Sequence, residues 1–311
     1  MATEYDVVVV GGGAAGLSAA LVLGRARRRV AVVDAGAPRN APAAHMQGFL
    51  SRDGMPPGDL LAAGRAEVRG YGVELIEDRV EAVETGFVVR VASGRGLGTR
   101  RILLATGCGD ELPEISGVRE RWGRDLLHCP YCHGWEVRDQ PLGVLGTNPG
   151  SVQHALLVRQ WSDDVAFFAH TVDPGSDELE QLQARGIEVV SGLVVRLVVE
   201  NDRLTGVEMG DGRVIPRAAV FIRPLNVPRA DRLPAELGCD LDEAGFVIVD
   251  ATGRTSVPGI WAAGNVVDPR LQVISSAGAG SAAAIAINAD LVADDVARAA
   301  APQVEVASTP S

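Results

Sequence analysis

Hydrophobic residues fall in short continuous runs, each closed by a glycine-, proline- or aspartate-rich turn. Asp6–Val10 and Arg29–Val33, with Ile102–Leu104, have the length and β-branching of buried strands. Between the first two, Leu17–Gly24 reads as a helix. The same unit recurs later, with a strand over Leu142–Leu145, a helix over Val152–Trp161 and a strand over Val165–Ala169. Further strands are expected at Val73–Ile76, Val80–Thr85, Phe87–Ala92, Val189-Val190, Val194–Val199, Leu204–Met209 and Ala219–Ile222. Phe246–Asp250 adds another apolar run, and an alanine-rich helix extends to about Arg298. The tail Pro302–Ser311 reads as disordered. Strands alternating with helices predict an α/β protein with parallel sheets.

The turn after the first strand is Gly11-Gly12-Gly13-Ala14-Ala15-Gly16. It is G-x-G-x-x-G between a strand and a helix, the context a dinucleotide fingerprint needs. Gly11 permits the tight turn, Gly13 lets a pyrophosphate approach the backbone, and Gly16 lets helix pack on strand. The helix N-terminus offers N–H donors and a positive dipole end. Asp34, at the end of the second strand, is placed to bind a ribose. The irregular stretch Arg39-Asn40 through His45-Met46-Gln47-Gly48 reads as a second cofactor-contact region or as a plain surface loop.

The second strand-turn-helix carries a damaged fingerprint, Gly146-Thr147-Asn148-Pro149-Gly150-Ser151, with Asn148 at the middle glycine position. Its side chain is expected to crowd a pyrophosphate. After the next strand, His170–Glu178 holds Asp173, Asp177 and Glu178 but no Lys or Arg. A 2′-phosphate would be repelled there.

Between the two units lies His128-Cys129-Pro130-Tyr131-Cys132-His133-Gly134. The C-x-x-C spacing lets two sulfurs share one redox couple, and a histidine on each side is a proton acceptor beside a thiol. Pro130 and Gly134 favour a turn over a helix interior. A zinc site is the competing reading, but adjacent residues point apart and no second pair stands at zinc spacing. Two structural cysteines are the third.

Composition narrows the classes. The net charge of −11 and pI of about 5.0 disfavour nucleic acid. Four cysteines in 311 residues are no disulfide scaffold. The acidic start lacks the basic region of a signal peptide, and no apolar run reads as long enough to span a membrane. A cytoplasmic protein without membrane contact is expected.

Taken together, the first glycine turn with Asp34, Ala105-Thr106-Gly107, the C-x-x-C stretch, Ser256–Asn265 and Gln272–Gly280 resemble the low-molecular-weight thioredoxin reductase class of flavoproteins. The resemblance implies two nested Rossmann-like, three-layer domains and a homodimer. An FAD-binding domain would comprise residues 1–112 and 242–311, interrupted by a pyridine-nucleotide-like domain over 113–241. It implies FAD contacts at Gly11, Gly13, Ala14, Ala15, Gly16, Asp34, Arg39, Asn40, His45, Val80, Ala105, Thr106, Gly107, Gly264, Asn265, Gln272 and Val273.

The departures point to a subclass. His133 replaces the usual aspartate after the second cysteine, Asn265 replaces an aspartate in the late FAD motif, and the second glycine fingerprint and the arginine-rich NADPH clamp are missing. C-P-Y-C-H-G is more similar to the dithiol oxidases that close disulfides in small molecules. That resemblance implies Cys129 as the exchanging sulfur and Cys132 as the flavin-facing one. Electrons would pass from a small-molecule dithiol through FAD to oxygen, giving hydrogen peroxide. His133, and His128 with it, would take the proton, while Cys108 and Cys239 are expected to be ordinary buried residues. A thioredoxin reductase fed by NAD(P)H or another donor is the alternative enzyme. A redox-sensing flavoprotein is the non-enzymatic one.

Overall fold

The computed structural model describes residues 4–228 and 232–301, so the expected disordered tail lies outside the described residues. The chain packs as two compact units, Met1–Gly36 with Ala63–Gly107 and Arg229–Ser311, and Ala37–Ala62 with Cys108–Pro228.

The first unit opens with β1 (Tyr5–Val10), α1 (Ala14–Arg25) and β2 (Val30–Asp34). Then come α2 (Pro57–Gly70), which begins in the second unit's segment, β3 (Glu74–Glu77), β4 (Val80–Glu84), β5 (Val88–Val91) and β6 (Gly96–Leu104). β1 is apolar on both faces, with Val7, Val8 and Val9 fully buried, because it lies inside a parallel sheet covered on both sides. β2 and β6 flank it in parallel, β3 lies beyond β2, and β4 and β5 extend the other end antiparallel through β6.

The second unit contains β7 (Cys108–Glu111), α3 (Val118–Arg121), β8 (Leu126–Leu127), α4 (Pro130–His133), β9 (Leu142–Leu145), α5 (Ser151–Val158) and β10 (Val165–Phe168). It continues through α6 (Ser176–Ala184), β11 (Glu188–Val190), β12 (Val194–Glu200), β13 (Arg203–Met209), β14 (Val214–Pro216), β15 (Ala219–Ile222) and β16 (Leu225–Pro228). A parallel sheet runs β11-β10-β9-β15-β8 and buries Phe167, Phe168 and Phe221. β12, β13 and β14 form a separate antiparallel sheet, and β7 pairs antiparallel with β16. That last ribbon places Cys108–Glu111 and Leu225–Pro228 in this unit. Arg39 on Asp110, and Pro42 against Gly123, tie residues 37–62 to it.

The chain returns to the first unit through α7 (Leu233–Glu236), β17 (Ile260–Ala262) beside β6, and α8 (Val273–Ala300). Phe246–Asp250 is no strand; it makes only an isolated bridge, Leu241 to Val247. α8 corrects one expectation, since by length and composition it could cross a membrane. Here it buries Ala283, Ala284, Ile287 and Leu291 and packs on α1. Asp290, Asp294 and Asp295 clamp Arg100 and Arg101 of β6 at 2.5–2.7 Å. Both units are mixed α/β with parallel sheets, as the alternation of strands and helices along the chain predicts.

Candidate functional site

In the first unit the three glycines divide by role. Gly11 has φ +107°, and a Cβ on it would lie 2.3 Å from the Ala105 carbonyl oxygen. A Cβ on Gly16 would lie 1.9 Å from the Gly11 carbonyl oxygen. Both are therefore required by the fold. Gly13 has ordinary φ and open space where its Cβ would be. It is the N-cap of α1 and makes no side-chain cap, so the first-turn amides of Ala14 and Ala15 are placed for an anion. Asp34 ends β2 with one oxygen held by Arg65 at 2.8 Å.

The other residues expected to contact the cofactor in this unit frame that turn or pack beneath it. Ala105 continues β6 and donates to Val10, with Thr106 and the left-handed Gly107 following. Gly264 has φ +82°, and its missing Cβ makes room for Ala15, as does Gly280 on α8. Val80 starts β4 inside the core. Gln272 is the N-cap of α8 and Val273 its first residue. Asn265 donates Nδ2–H to the carbonyls of Asp268 and Leu271, at 2.9 and 3.0 Å. An ionised aspartate there could donate neither bond.

In the second unit, Cys129 and Cys132 are joined as a disulfide, with Cα atoms 5.2 Å apart. Cys132 lies inside the one-turn helix α4 and Cys129 is its N-cap, where the sequence favoured a plain turn. Pro130 fits the first helical position, which needs no N–H. Gly134 follows because a Cβ there would meet the Pro130 carbonyl oxygen at 2.5 Å and the Trp161 ring at 2.8 Å. Tyr131 and Trp135 stand exposed beside the disulfide; Tyr131 packs edge-on against Trp161, and Arg138 lies over one face of Trp135.

Both flanking histidines are depressed in pKa. Burial pushes His128 down to about 4; the charges of Arg39, Arg223 and His133 act the same way, and Asp110 opposes them. Burial also lowers His133, with Glu136 opposing. Burial thus holds each ring neutral near neutral pH and makes taking up a proton costly. Arg39 holds Asp110 with two bonds, at 2.6 and 2.8 Å, and Asn226 donates to the same carboxylate at 2.9 Å. Arg39, Asn40 and the exposed His45 therefore belong to this unit, with Arg39's guanidinium committed to a carboxylate. Among the described residues no cluster of three His, Cys, Asp or Glu side chains is placed to hold a metal.

Sequence reasoning missed His154. It lies on the buried side of α5 with Val152, Ala155 and Val158, and burial, with His128 and Arg223 adding to it, pushes its pKa down to about 4. A histidine on an apolar helix face was the visible signal. A folded-state pKa below the unfolded value of about 6.5 costs stability as pH falls from that value towards 4, because only the unfolded chain takes the proton. His154 alone should remove on the order of 3 kcal/mol over that window. Urea denaturation at pH 7 and pH 4.5 checks this; equal stability at both would contradict the buried, neutral ring.

The second glycine loop has its own donors occupied. Asn148 Nδ2–H donates to the Arg223 carbonyl at 2.7 Å, and Asn148 Oδ1 accepts from the Gly150 amide at 3.1 Å. Ser151 Oγ accepts from the amides of Thr147 and Asn148 at 3.2 and 3.3 Å. A Cβ on Gly150 would stand 2.0 Å from the Arg223 guanidinium. Asn148 thus turns back on the loop, rather than only crowding the space above it.

A family model described as pyridine nucleotide-disulphide oxidoreductase matches residues 5–281. Thioredoxin reductase sirT of Leptosphaeria maculans is 30% identical over 94% of this chain and 96% of that protein. Thioredoxin reductase aclD of Aspergillus oryzae is 30% identical over 94% and 98%. Among solved structures, the crystal structure of HlmI is 60% identical, with TM-score 0.93 over 96% of both chains. An oxidoreductase from Agrobacterium tumefaciens is 36% identical, with TM-score 0.88 over 93% and 99%. A glycine turn built for a dinucleotide, a C-x-x-C disulfide between neutral histidines, and these similarities have one reading: the chain is an oxidoreductase and belongs to the pyridine nucleotide-disulphide oxidoreductase family.

Proposed function

We propose that this chain is an FAD-dependent oxidase of a small-molecule dithiol. The contrast between the two glycine loops carries the reading. The first leaves its helix N-terminus uncapped, with open space at Gly13. The second spends the amides of Thr147, Asn148 and Gly150 on its own side chains. One dinucleotide fits, at the first loop, and the loop that would hold a nicotinamide donor is closed on itself. FAD at the first loop would supply the two-electron acceptor chemistry. Gly13, Ala14 and Ala15 would bind its pyrophosphate and Asp34 a ribose.

The chain's own steps follow from thiol chemistry. A substrate thiolate attacks the sulfur of Cys129, and Cys132 leaves as a thiolate. The second substrate thiolate then attacks the first substrate sulfur in the mixed disulfide and Cys129 leaves as a thiolate, releasing the cyclic disulfide and leaving both cysteines reduced. His133, with His128 beside Cys129, takes the proton transiently as a substrate thiol ionises, and the protons pass on to solvent. The balance is dithiol plus O2 to disulfide plus H2O2. Tyr131 and Trp135 offer apolar surface to a small ring-bearing substrate.

A homodimer is part of this reading. Ile285, Val292 and Val296 stand exposed at helical spacing along α8, an apolar stripe of the kind an interface covers. A cytoplasmic location without a membrane partner also belongs to the proposal, and the acidic composition favours no nucleic-acid partner.

The test is aerobic turnover with a small dithiol, following oxygen uptake and peroxide together. One peroxide per disulfide is expected. Disulfide formation without oxygen consumption would overturn the oxidase assignment.

A further inference from the structure

β1, β6 and β17 are neighbouring parallel strands that end at one level, with Val10 beside Leu104 and Leu104 beside Ala262. Residues 11–13, 105–107 and 263–265 therefore leave the same edge of the sheet, the carboxyl end at which open α/β sheets hold ligands. A Cβ on Gly264 would stand 2.9 Å from the Ala15 side chain and 3.8 Å from that of Ser276. Gly264 thus lies where the first turns of α1 and α8 converge, and the half-buried Asn265 follows it. Asn265 turns its amide nitrogen inward, onto the carbonyls of Asp268 and Leu271, while its Oδ1 makes no hydrogen bond among the described residues. Leu271 donates its own amide to the Asp268 carbonyl at 3.2 Å, and the Asp268 carboxylate is held by Arg270 at 2.9 and 3.0 Å. Gln272, the N-cap of α8, comes next. The two Asn265 bonds therefore pin the last turn before that helix.

We propose, on the FAD-oxidase reading above, that Asn265 is a positioning residue that tunes the flavin as an electron acceptor. Its amide fixes the start of α8, and it does so without placing a charge where α1 and α8 present their N-termini. Two effects act in the same direction. The N-terminus of α8 is the positive end of a 28-residue helix, and it favours an electron-rich group. A carboxylate at residue 265 would set a negative charge against that field and against the electrons a reduced flavin gains. It would also face the Asp268 and Leu271 carbonyls with no proton to give, releasing the turn that leads into the helix. Both changes disfavour the reduced form. An enzyme that takes electrons from a dithiol needs the opposite, and a neutral amide supplies it while still making both bonds.

The experiment measures the two-electron midpoint potential of the bound FAD by anaerobic equilibration with a dye of known potential, alongside the FAD dissociation constant. Asn265→Asp should raise the ratio of oxidised to reduced flavin at a fixed dye potential by roughly tenfold, a downward shift of about 30 mV. Asn265→Ala loses the same two hydrogen bonds but adds no charge. It should weaken FAD binding by roughly fivefold, the worth of about one hydrogen bond, and shift the ratio much less than Asn265→Asp does. An unchanged potential in Asn265→Asp, or equal shifts in the two variants, would overturn the tuning role, and unchanged FAD binding in Asn265→Ala would overturn the pinning of α8. Should Asn265→Asp lose its FAD, Gln272→Glu places the charge at the cap of the same helix with Asn265 intact, and the same downward shift is expected; no shift would overturn the assignment. If the unsubstituted protein holds no FAD, or no dithiol reduces it, the oxidase reading falls and this assignment with it. A dithiol-reducible flavin whose potential ignores residue 265 overturns this assignment alone.

Discussion

Serine in place of Cys129 or Cys132 should abolish dithiol turnover, leaving only background oxidation. A lone thiol can be captured in a mixed disulfide, but it cannot expel the substrate and re-form the pair joined in the structure. The two other cysteines give the control. Cys108 is fully buried at the start of β7, and Cys239 is 7% exposed with its pKa raised by burial. Neither offers an accessible thiolate. Serine at either should leave most of the activity, measured as peroxide formed per flavin. Equal loss at all four positions would contradict the assignment of the redox pair.

The glycine turn gives the second large effect, and it separates folding from binding. Gly13→Leu should yield a folded, colourless protein, because the new side chain enters open space at the α1 N-terminus without straining the backbone. Gly16→Ala should not fold, since its Cβ would lie 1.9 Å from the Gly11 carbonyl oxygen. Overpacking of that kind against backbone costs more than about 3 kcal/mol. Flavin absorbance per chain and circular dichroism distinguish the two. A yellow Gly13→Leu protein with full FAD would show that the phosphate lies elsewhere.

The parts legible in the sequence were those whose signal is local. The runs at β1, β2, β9 and β10 are apolar on both faces, so length and β-branching suffice. The first glycine turn announces itself because strand, helix and acid follow in fixed order. α2 was missed because Pro57, Leu61 and Val68 alone are buried along it, and Pro57, Gly58, Gly64 and Gly70 read as loop. The β7–β16 ribbon was missed because Cys108-Gly109-Asp110-Glu111 and Leu225-Asn226-Val227-Pro228 carry no strand pattern; pairing across the chain makes them strands. The apolar run Phe246–Asp250 forms no strand, since Phe246 and Val247 are buried without a neighbouring strand to pair with.

The site divides along the same line. Cys129, Cys132 and their flanking histidines are adjacent in sequence and were found at once. Arg39 on Asp110, 71 residues apart, could not be read from spacing. The same holds for His154 against His128, whose rings meet edge-on only once α5 has folded. Asn148 stood out in the sequence as a side chain expected to crowd a pyrophosphate, and the structure adds a second role. It closes the loop by bonding to Arg223 and Gly150, rather than only projecting into the space above it.

Anaerobic stopped-flow reduction of the bound flavin tests the central claim most directly. A 2′-phosphate would meet Asp173, Asp177 and Glu178 near α6, where Glu178 already caps the helix by accepting from Gly175 at 3.1 Å. Losing a charge-assisted pair forfeits roughly 1.5–3 kcal/mol, at least about an order of magnitude in affinity. The account predicts bleaching by dithiothreitol or another small dithiol, recovery when air is admitted, and no rapid response to NADPH. Rapid bleaching by micromolar NADPH, with none by small dithiols, would contradict it and make the protein a reductase.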